Sequence, residues 1–148
     1  MPQAERRAQV IWEGTLTQGN GTIASTSSGA LQNLPVTWAS RVERSDGKTS
    51  PEELLAAAHA ECYAMSLSNT LASSGKTPQR LEVNAVCTAN LSSSGLKIES
   101  VNLTVRGTVP GLDAAGFEQA ARTAEQNCPV SNALRNNVAI SVNAQLDQ

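Results

Sequence analysis

Three cysteines are the residues of this sequence with the clearest capacity for chemistry. Cys62 lies in the segment HAECYAM and Cys128 in NCPVS, whereas Cys87 lies in a run of alternating apolar residues. A separation of 66 residues between Cys62 and Cys128 excludes a Cys-x-x-Cys motif, but the two thiols can meet if their segments pack together. Such a pair suits redox chemistry, in which one thiol is oxidised to a sulfenic acid and the other condenses with it to a disulfide.

Each cysteine also has a purely structural interpretation. Cys62 falls on the apolar stripe of a predicted helix, where a cysteine is often a small core residue. Cys128 precedes Pro129, so it either caps a new helical turn, where the partial positive charge favours a thiolate, or simply marks a helix break. Cys87 shares the apolar face of a predicted strand, and we interpret it as a core residue.

Two charged residues and a histidine complete the candidate site. Arg41, in WASRVE, is a candidate for stabilising a thiolate, and Glu52 is a candidate bidentate partner for its guanidinium; the alternative for each is a solvated surface charge. His59 lies one helical turn before Cys62. We expect it to pack or to hydrogen-bond, because a Cys-His base needs an orienting third group and zinc through His59, Cys62 and Cys128 has no recognised ligand spacing.

The composition limits the classes of partner. A chain of 148 residues is predicted to be one domain, 1–148. Its net charge of −2 and scattered Lys and Arg argue against nucleic acid, and no apolar run approaches a membrane span. The first ten residues carry charge without an apolar signal region, so we expect the cytoplasm. Because only 3% of residues are aromatic, we also expect an oligomer that buries additional area.

The elements that must position these residues are three strands, a helix, two strands, a helix and a strand. Short β-type runs predict strands at 9–14, 21–25 and 36–42, and period-two alternation predicts strands at 81–91, 101–109 and 138–146. The SSSG segment is a candidate hairpin between the two long strands. This order indicates an α+β fold with a mostly antiparallel sheet.

The two long helices have explicit boundary signals. Ser50 as N-cap, Pro51 at the first position and Glu53 in a capping box start a helix that Gly75 should end near residue 74. The expected buried stripe of this helix has a three and four residue spacing: Leu55, Ala58, Cys62, Met65 and Asn69, widened by Leu54 and Ala57. Asp113 is expected to cap a second helix at 114–126.

The sequence resembles the OsmC/Ohr family of thiol-dependent hydroperoxide reductases. The resemblance is carried by WEGTLTQGNGTIASTSSG, WASRVE, SPEELLAAAHAECYAMSLS and NCPVS, in the order and spacing of that family. The details are closer to the OsmC branch, osmotically inducible protein C, than to the Ohr branch. One departure is Glu61, where a small residue is usual; it is expected to face away from Cys62, because adjacent residues of a helix point about 100° apart.

The resemblance implies an OsmC-like fold, with a curled, mostly antiparallel sheet and two central long helices in an intertwined homodimer. Two active sites are expected at the subunit interface. Cys62 matches the peroxidatic cysteine and Cys128 the resolving cysteine. Arg41 matches the arginine that stabilises the thiolate and binds the peroxide, and Glu52 matches the glutamate that orients it.

The implied function is a peroxidase that needs no metal or other cofactor. It would reduce organic hydroperoxides, and hydrogen peroxide more weakly, through a disulfide within one subunit that an external dithiol reopens. The alternative is a dimeric small-molecule binding or redox-sensing module on the same fold. A thiol hydrolase using Cys62 and His59 is a third hypothesis, weakened by the missing orienting group.

Overall fold

The computed structural model describes residues 1–147, which divide into two compact units with a boundary between Leu54 and Leu55. In chain order the elements are β1 (Ala8–Glu13), β2 (Asn20–Thr26), β3 (Leu34–Val36), α1 (Trp38–Val42), α2 (Pro51–Ser73), β4 (Arg80–Ser92), β5 (Gly95–Thr108), α3 (Ala114–Asn127), α4 (Pro129–Leu134) and β6 (Ala139–Asp147). The predicted α+β class is confirmed.

The first unit is built on a three-stranded antiparallel sheet. Its strand order is β1-β2-β3, so β2 is central, and Ile23 on this strand is buried. The first two predicted strands are confirmed within one or two residues at each end.

The third predicted strand, 36–42, is wrong over most of its length. Only β3 is extended, and the chain then turns into the short helix α1. The cause is a capping box: the Thr37 hydroxyl accepts from the Ser40 backbone N–H at 3.0 Å, and the Ser40 hydroxyl accepts from the Thr37 N–H at 3.0 Å. These two bonds satisfy donors that a helix start leaves unpaired, and they outweigh the β propensity of Trp38 and Val42. Arg41 therefore lies on a helix.

The second unit contains the other sheet, with strand order β4-β5-β6. β4 and β5 form the predicted hairpin, in which Gly95 has a φ of 114° that favours glycine. The predicted alternation is confirmed, since Val101, Leu103 and Val105 are buried. β6 pairs with β5 in parallel, so three of the four strand pairings among residues 1–147 are antiparallel.

The helix α2 begins and ends as predicted but buries a different face. The Glu53 N–H donates to the Ser50 hydroxyl at 3.1 Å, and Gly75 with a φ of 75° follows its end. The buried residues are spaced four apart: His59, Tyr63, Leu67 and Leu71. The predicted stripe is therefore wrong; Met65 is 60% exposed, and Cys62 is only half-buried. Alanines of this helix lie on several of its faces, so the spacing of its apolar residues does not identify a single buried face.

Two shorter helices complete the second unit. Asp113 caps α3 as predicted, accepting from the Gly116 N–H at 2.7 Å. Pro129 is the first residue of α4, and Cys128 is its N-cap. Phe117, Cys128 and the buried residues of β5 belong to one hydrophobic core. Across residues 1–147, no helix has the length and apolar character needed to cross a bilayer.

Candidate active site

The first unit contains a well-formed ion pair between Arg41 of α1 and Glu52 of α2. Nε of Arg41 donates to Oε1 and Oε2 of Glu52 at 3.0 and 3.2 Å, and Nη2 donates to Oε1 at 2.8 Å. The side chains are 31% and 12% exposed, so this pair is better shielded from water than an ordinary surface pair. The predicted bidentate pairing is present, and it holds the plane of the guanidinium in one orientation.

The guanidinium retains capacity for another acceptor. Within residues 1–147, Nη1 of Arg41 takes part in no hydrogen bond, because all three bonds to Glu52 use Nε and Nη2. An arginine held along one edge can present the other edge to an oxygen of a ligand. The pair is therefore suited to stabilise negative charge.

The second unit brings Cys62 and Cys128 together. Cys62 lies on α2 and is half-buried, whereas Cys128 is fully buried at the start of α4, and both are reduced thiols. Their side chains are within hydrogen-bonding range of each other. The expectation that thiols 66 residues apart meet through packed segments is thus met by the geometry. The two thiols are therefore close enough to interact, which is the first requirement for a disulfide between them.

A backbone amide also points at the Cys62 thiol. Pro129 has no N–H, so Val130 carries the first free amide of α4, and this amide forms a hydrogen bond with Cys62. The hydrogen bond lowers the pKa of Cys62, because an N–H donor favours the thiolate. Sequence reasoning missed this donor, although Pro129 was its visible signal.

The remaining influences act against ionisation of Cys62. Burial is the largest cause that raises the pKa of the thiol, and Cys128 and the Glu61 carboxylate raise it further. Glu61 is exposed, as predicted, but its charge still reaches the thiol. The balance within this unit leaves the pKa of Cys62 raised, so a thiolate needs additional positive charge when it reacts.

His59 is a buried partner of Ser131, a residue that sequence reasoning did not single out. The two residues are fully buried, and Nε2 of His59 lies 2.7 Å from Oγ of Ser131. Burial lowers the pKa of His59, although the carboxylate of Glu125 raises it. The predicted hydrogen-bonding role is therefore the observed one. In the described part of the chain, no group of three or more His, Cys, Asp or Glu residues is arranged to hold a metal ion.

Two further polar groups attach α2 to α3. The Tyr63 hydroxyl donates to the Ala121 carbonyl at 3.0 Å, and the Ser66 hydroxyl donates to the Ala124 carbonyl at 2.8 Å. Burial raises the pKa of Tyr63, so this residue is a neutral hydrogen-bond donor. These bonds fix the helix that carries Cys62.

Comparison with known proteins identifies the family. The family model of OsmC-like proteins matches residues 44–143. The chain is 36% identical over 135 residues to Peroxiredoxin OsmC of Escherichia coli, covering 91% of this chain and 93% of the relative. It is 30% identical over 95 residues to the organic hydroperoxide resistance protein of Xanthomonas axonopodis pv. citri, covering 64% and 65%.

A solved structure gives the same answer for the fold. An organic hydroperoxide resistance protein from Elizabethkingia anophelis matches with a TM-score of 0.73 and 21% identity, covering 99% of this chain and 100% of the other. At this identity the likeness concerns the fold alone. Together with the sequence matches, it agrees with the OsmC-like fold that the motifs imply. The chain belongs to the OsmC-like protein family.

Proposed function

We propose that this protein is a cysteine-based peroxidase that reduces organic hydroperoxides, with Cys62 as the reacting thiol and Cys128 as the resolving thiol. The observation that carries the proposal is the contact between the two side chains across α2 and α4. The names of the relatives, peroxiredoxin and organic hydroperoxide resistance protein, support the enzyme class. The remaining steps follow from the chemistry of the site.

In the first step, the Cys62 thiolate attacks the distal oxygen of the hydroperoxide. The O–O bond breaks, the sulfur becomes a sulfenic acid, and the alkoxide takes a proton and leaves as an alcohol. Because the Val130 amide alone does not offset burial, the thiolate and the leaving oxygen both need a cation. Arg41 supplies this charge in our proposal, and Glu52 keeps its guanidinium in place.

In the second step, the Cys128 sulfur attacks the Cys62 sulfenic acid. A disulfide forms, and the hydroxyl leaves as water after taking the thiol proton. Burial of Cys128 supports this order, because a fully buried thiol is protected from peroxide while the half-buried Cys62 is reachable. An external dithiol then reduces the disulfide and restores both thiols.

We further propose an intertwined homodimer in which Arg41 of one subunit serves Cys62 of the other. Exposed apolar side chains support an interface: Val10 and Ile11 of β1 are 58% and 49% exposed, and Met65 of α2 is 60% exposed. The solved relative matches essentially end to end, which supports treating residues 1–148 as one OsmC-like domain. Thiol-based turnover suits a reducing compartment such as the cytoplasm.

The decisive experiment is hydroperoxide consumption with a dithiol reductant. Wild type should be compared with Cys62→Ser, Cys128→Ser and the control Cys87→Ser, since Cys87 lies on β4 outside the paired thiols. We expect activity to vanish in the first variant, to stop after one turnover in the second and to persist in the third. A folded wild type that consumes no peroxide would overturn the enzyme and favour the binding or redox-sensing module.

The substrate preference is tested separately. Cys62 packs against the hydrophobic core, which suits an organic hydroperoxide better than hydrogen peroxide. We expect a larger second-order rate constant for cumene hydroperoxide than for hydrogen peroxide. The reverse order would remove the organic preference from the proposal while leaving the peroxidase class intact.

A further inference from the structure

The buried pair His59 and Ser131 takes no part in the chemistry proposed above. Both side chains are fully buried in the second unit, where an unpaired polar group is costly. Their bond of 2.7 Å joins α2 to α4 over 72 residues of sequence. The pair therefore connects the two segments that carry the thiols.

The positions of the two residues mirror each other about the thiol pair. His59 precedes Cys62 by three residues on α2, and Ser131 follows Cys128 by three residues into α4. Three residues of helix correspond to an axial rise of about 4.5 Å. The hydrogen bond consequently lies about one turn from each thiol and restrains both segments close to the reacting sulfurs.

The other bonds of this region do not perform the same task. Tyr63 and Ser66 attach α2 to carbonyls of α3, and Arg135 forms an ion pair with Glu125 of α3 at 2.9 Å. Within the described residues, the His59–Ser131 bond is the side-chain hydrogen bond between α2 and α4 that does not involve Cys62 itself. Val130 and Leu134 of α4 also pack against the hydrophobic core, but apolar packing does not fix a helix as closely as a directed hydrogen bond does.

The chemistry of His59 also suits a fixed restraint rather than a base. Nδ1 is buried and has no hydrogen-bond partner in the described chain, and an unpaired lone pair is less costly than an unpaired buried N–H. We therefore assign the proton of a neutral imidazole to Nε2, which donates to the Ser131 hydroxyl. Neither ring nitrogen of His59 is then hydrogen-bonded to the Cys62 thiol.

We propose that His59 and Ser131 are positioning residues for disulfide closure, holding Cys128 within reach of Cys62 before and after the peroxide reacts. The inference rests on the proposed function, because it assigns a role in the second step of that cycle. That step joins the Cys62 sulfenic acid and the Cys128 thiol and releases water. Disulfides require closely defined geometry, so a restraint one turn away accelerates closure without contacting the peroxide.

The equilibrium test measures the Cys62–Cys128 disulfide in dithiothreitol redox buffers, without any peroxide. Ser131→Ala and His59→Leu remove the bond, whereas Ser131→Thr and His59→Gln retain a hydroxyl or an N–H donor at the same place. We expect the equilibrium constant for disulfide formation to fall about tenfold in the first two variants, as befits one buried hydrogen bond. We expect it to return to within about twofold of wild type in the conservative pair.

The matched control is Ser66→Ala. It removes a hydrogen bond of similar length from the same helix, but toward α3 instead of α4. A merely structural loss would lower the melting temperature in Ser66→Ala and Ser131→Ala alike, whereas only Ser131→Ala should change the disulfide equilibrium. Equal equilibrium constants in wild type, Ser131→Ala and His59→Leu would overturn the inference.

The kinetic test separates the two steps after rapid mixing with cumene hydroperoxide. Sulfenic acid formation should keep its rate in Ser131→Ala, disulfide formation should slow about tenfold, and over-oxidation to sulfinic acid should increase. If both steps slow equally, the pair does not act on closure and the inference is wrong. If wild type ignores peroxide but the equilibrium responds as expected, the proposed function fails while the positioning role stands.

Discussion

At the residue scale, each unit holds one pair of the candidate side chains in place. Nε and Nη2 of Arg41 donate hydrogen bonds to Glu52, which leaves Nη1 available for another acceptor. Cys62 receives one backbone hydrogen bond from Val130, but burial keeps its pKa raised. The reactivity of the thiol is therefore expected to depend on the guanidinium.

Replacing Arg41 by lysine tests that dependence. Lysine keeps the charge but cannot form the two-nitrogen contact with Glu52, so the cation is no longer held in place. We expect the second-order rate constant for cumene hydroperoxide to fall about a hundredfold, the usual consequence of losing one charge-stabilising donor. Arg122→Lys is the control, because Arg122 pairs with Glu118 on an exposed face of α3. A wild-type rate in Arg41→Lys would contradict the role.

Replacing Glu61 by glutamine tests the carboxylate beside the reacting thiol. Its negative charge raises the pKa of Cys62, although it is the smallest of the contributing causes. Removing it should lower the pKa of the thiol and modestly increase the reaction rate at neutral pH, because more thiolate is present. Alkylation rates measured across pH report this shift. Glu118→Gln, on α3, should leave the profile unchanged, and an unchanged profile in Glu61→Gln would refute the effect.

At the element scale, the decisive feature is the capping box that makes α1 a helix. Thr37 and Ser40 exchange two hydrogen bonds, and Arg41 follows directly in the same helix. A five-residue helix has little stability of its own, so its cap determines whether it forms. The orientation of Arg41 is thus linked to Thr37.

Thr37→Ala is expected to lower the free energy of unfolding by about 1 kcal/mol, the usual cost of losing a side-chain cap. It should also reduce peroxidase activity, because α1 no longer presents Arg41 in a fixed position. Thermal unfolding and hydroperoxide consumption measure the two effects. Thr37→Ser should restore both, and Thr88→Ala, at an exposed position of β4, should change neither. Loss of stability with full activity would show that the cap does not position Arg41.

At the scale of the whole molecule, buried His59 links stability to pH. Its pKa is lowered in the folded protein by burial, against the opposing charge of Glu125, from an ordinary value of 6.5. Between the lowered value and 6.5 the unfolded chain binds more protons, so stability is complete above this range and falls as the pH decreases through it.

His59→Gln should flatten this dependence while retaining the bond to Ser131. Melting temperatures measured from neutral to mildly acidic pH should decrease less steeply in the variant than in wild type. Ser66→Ala is a suitable control, because it alters α2 without removing a titratable group. Parallel profiles for His59→Gln and wild type would mean that His59 does not contribute.

Mixed dimers test the assembly that we propose. A chain with Arg41→Ala and a chain with Cys62→Ser are each expected to be inactive as homodimers. If Arg41 serves the Cys62 of its partner, co-refolding should restore activity, because one of the two sites then has both residues. Failure to complement in a verified heterodimer would place both residues in the same subunit's site.

Many of the helices and strands were predictable because the sequence signals that specify them lie within short segments. The caps at Ser50 and Asp113, the alternation of β4 and β5 and the N-cap position of Cys128 were visible in short segments, and the structure confirms them. The quoted motifs also identified the family, and comparison with relatives confirms it. The names of those relatives support the peroxidase class that we propose. The catalytic roles of Cys62, Cys128, Arg41 and Glu52 remain predictions.

The sequence by itself determined the order of the longer elements, the caps of α2 and α3 and the residues capable of redox chemistry, but not the helix α1 that carries Arg41. The tertiary structure alone decided which face of α2 is buried, that His59 meets Ser131, and that Val130 donates to Cys62. The physical reason is that periodicity and caps act within a few residues, whereas these contacts join segments about seventy residues apart. In a helix rich in alanine, polar partners such as Ser131 and the Ala121 carbonyl permit the burial of His59 and Tyr63.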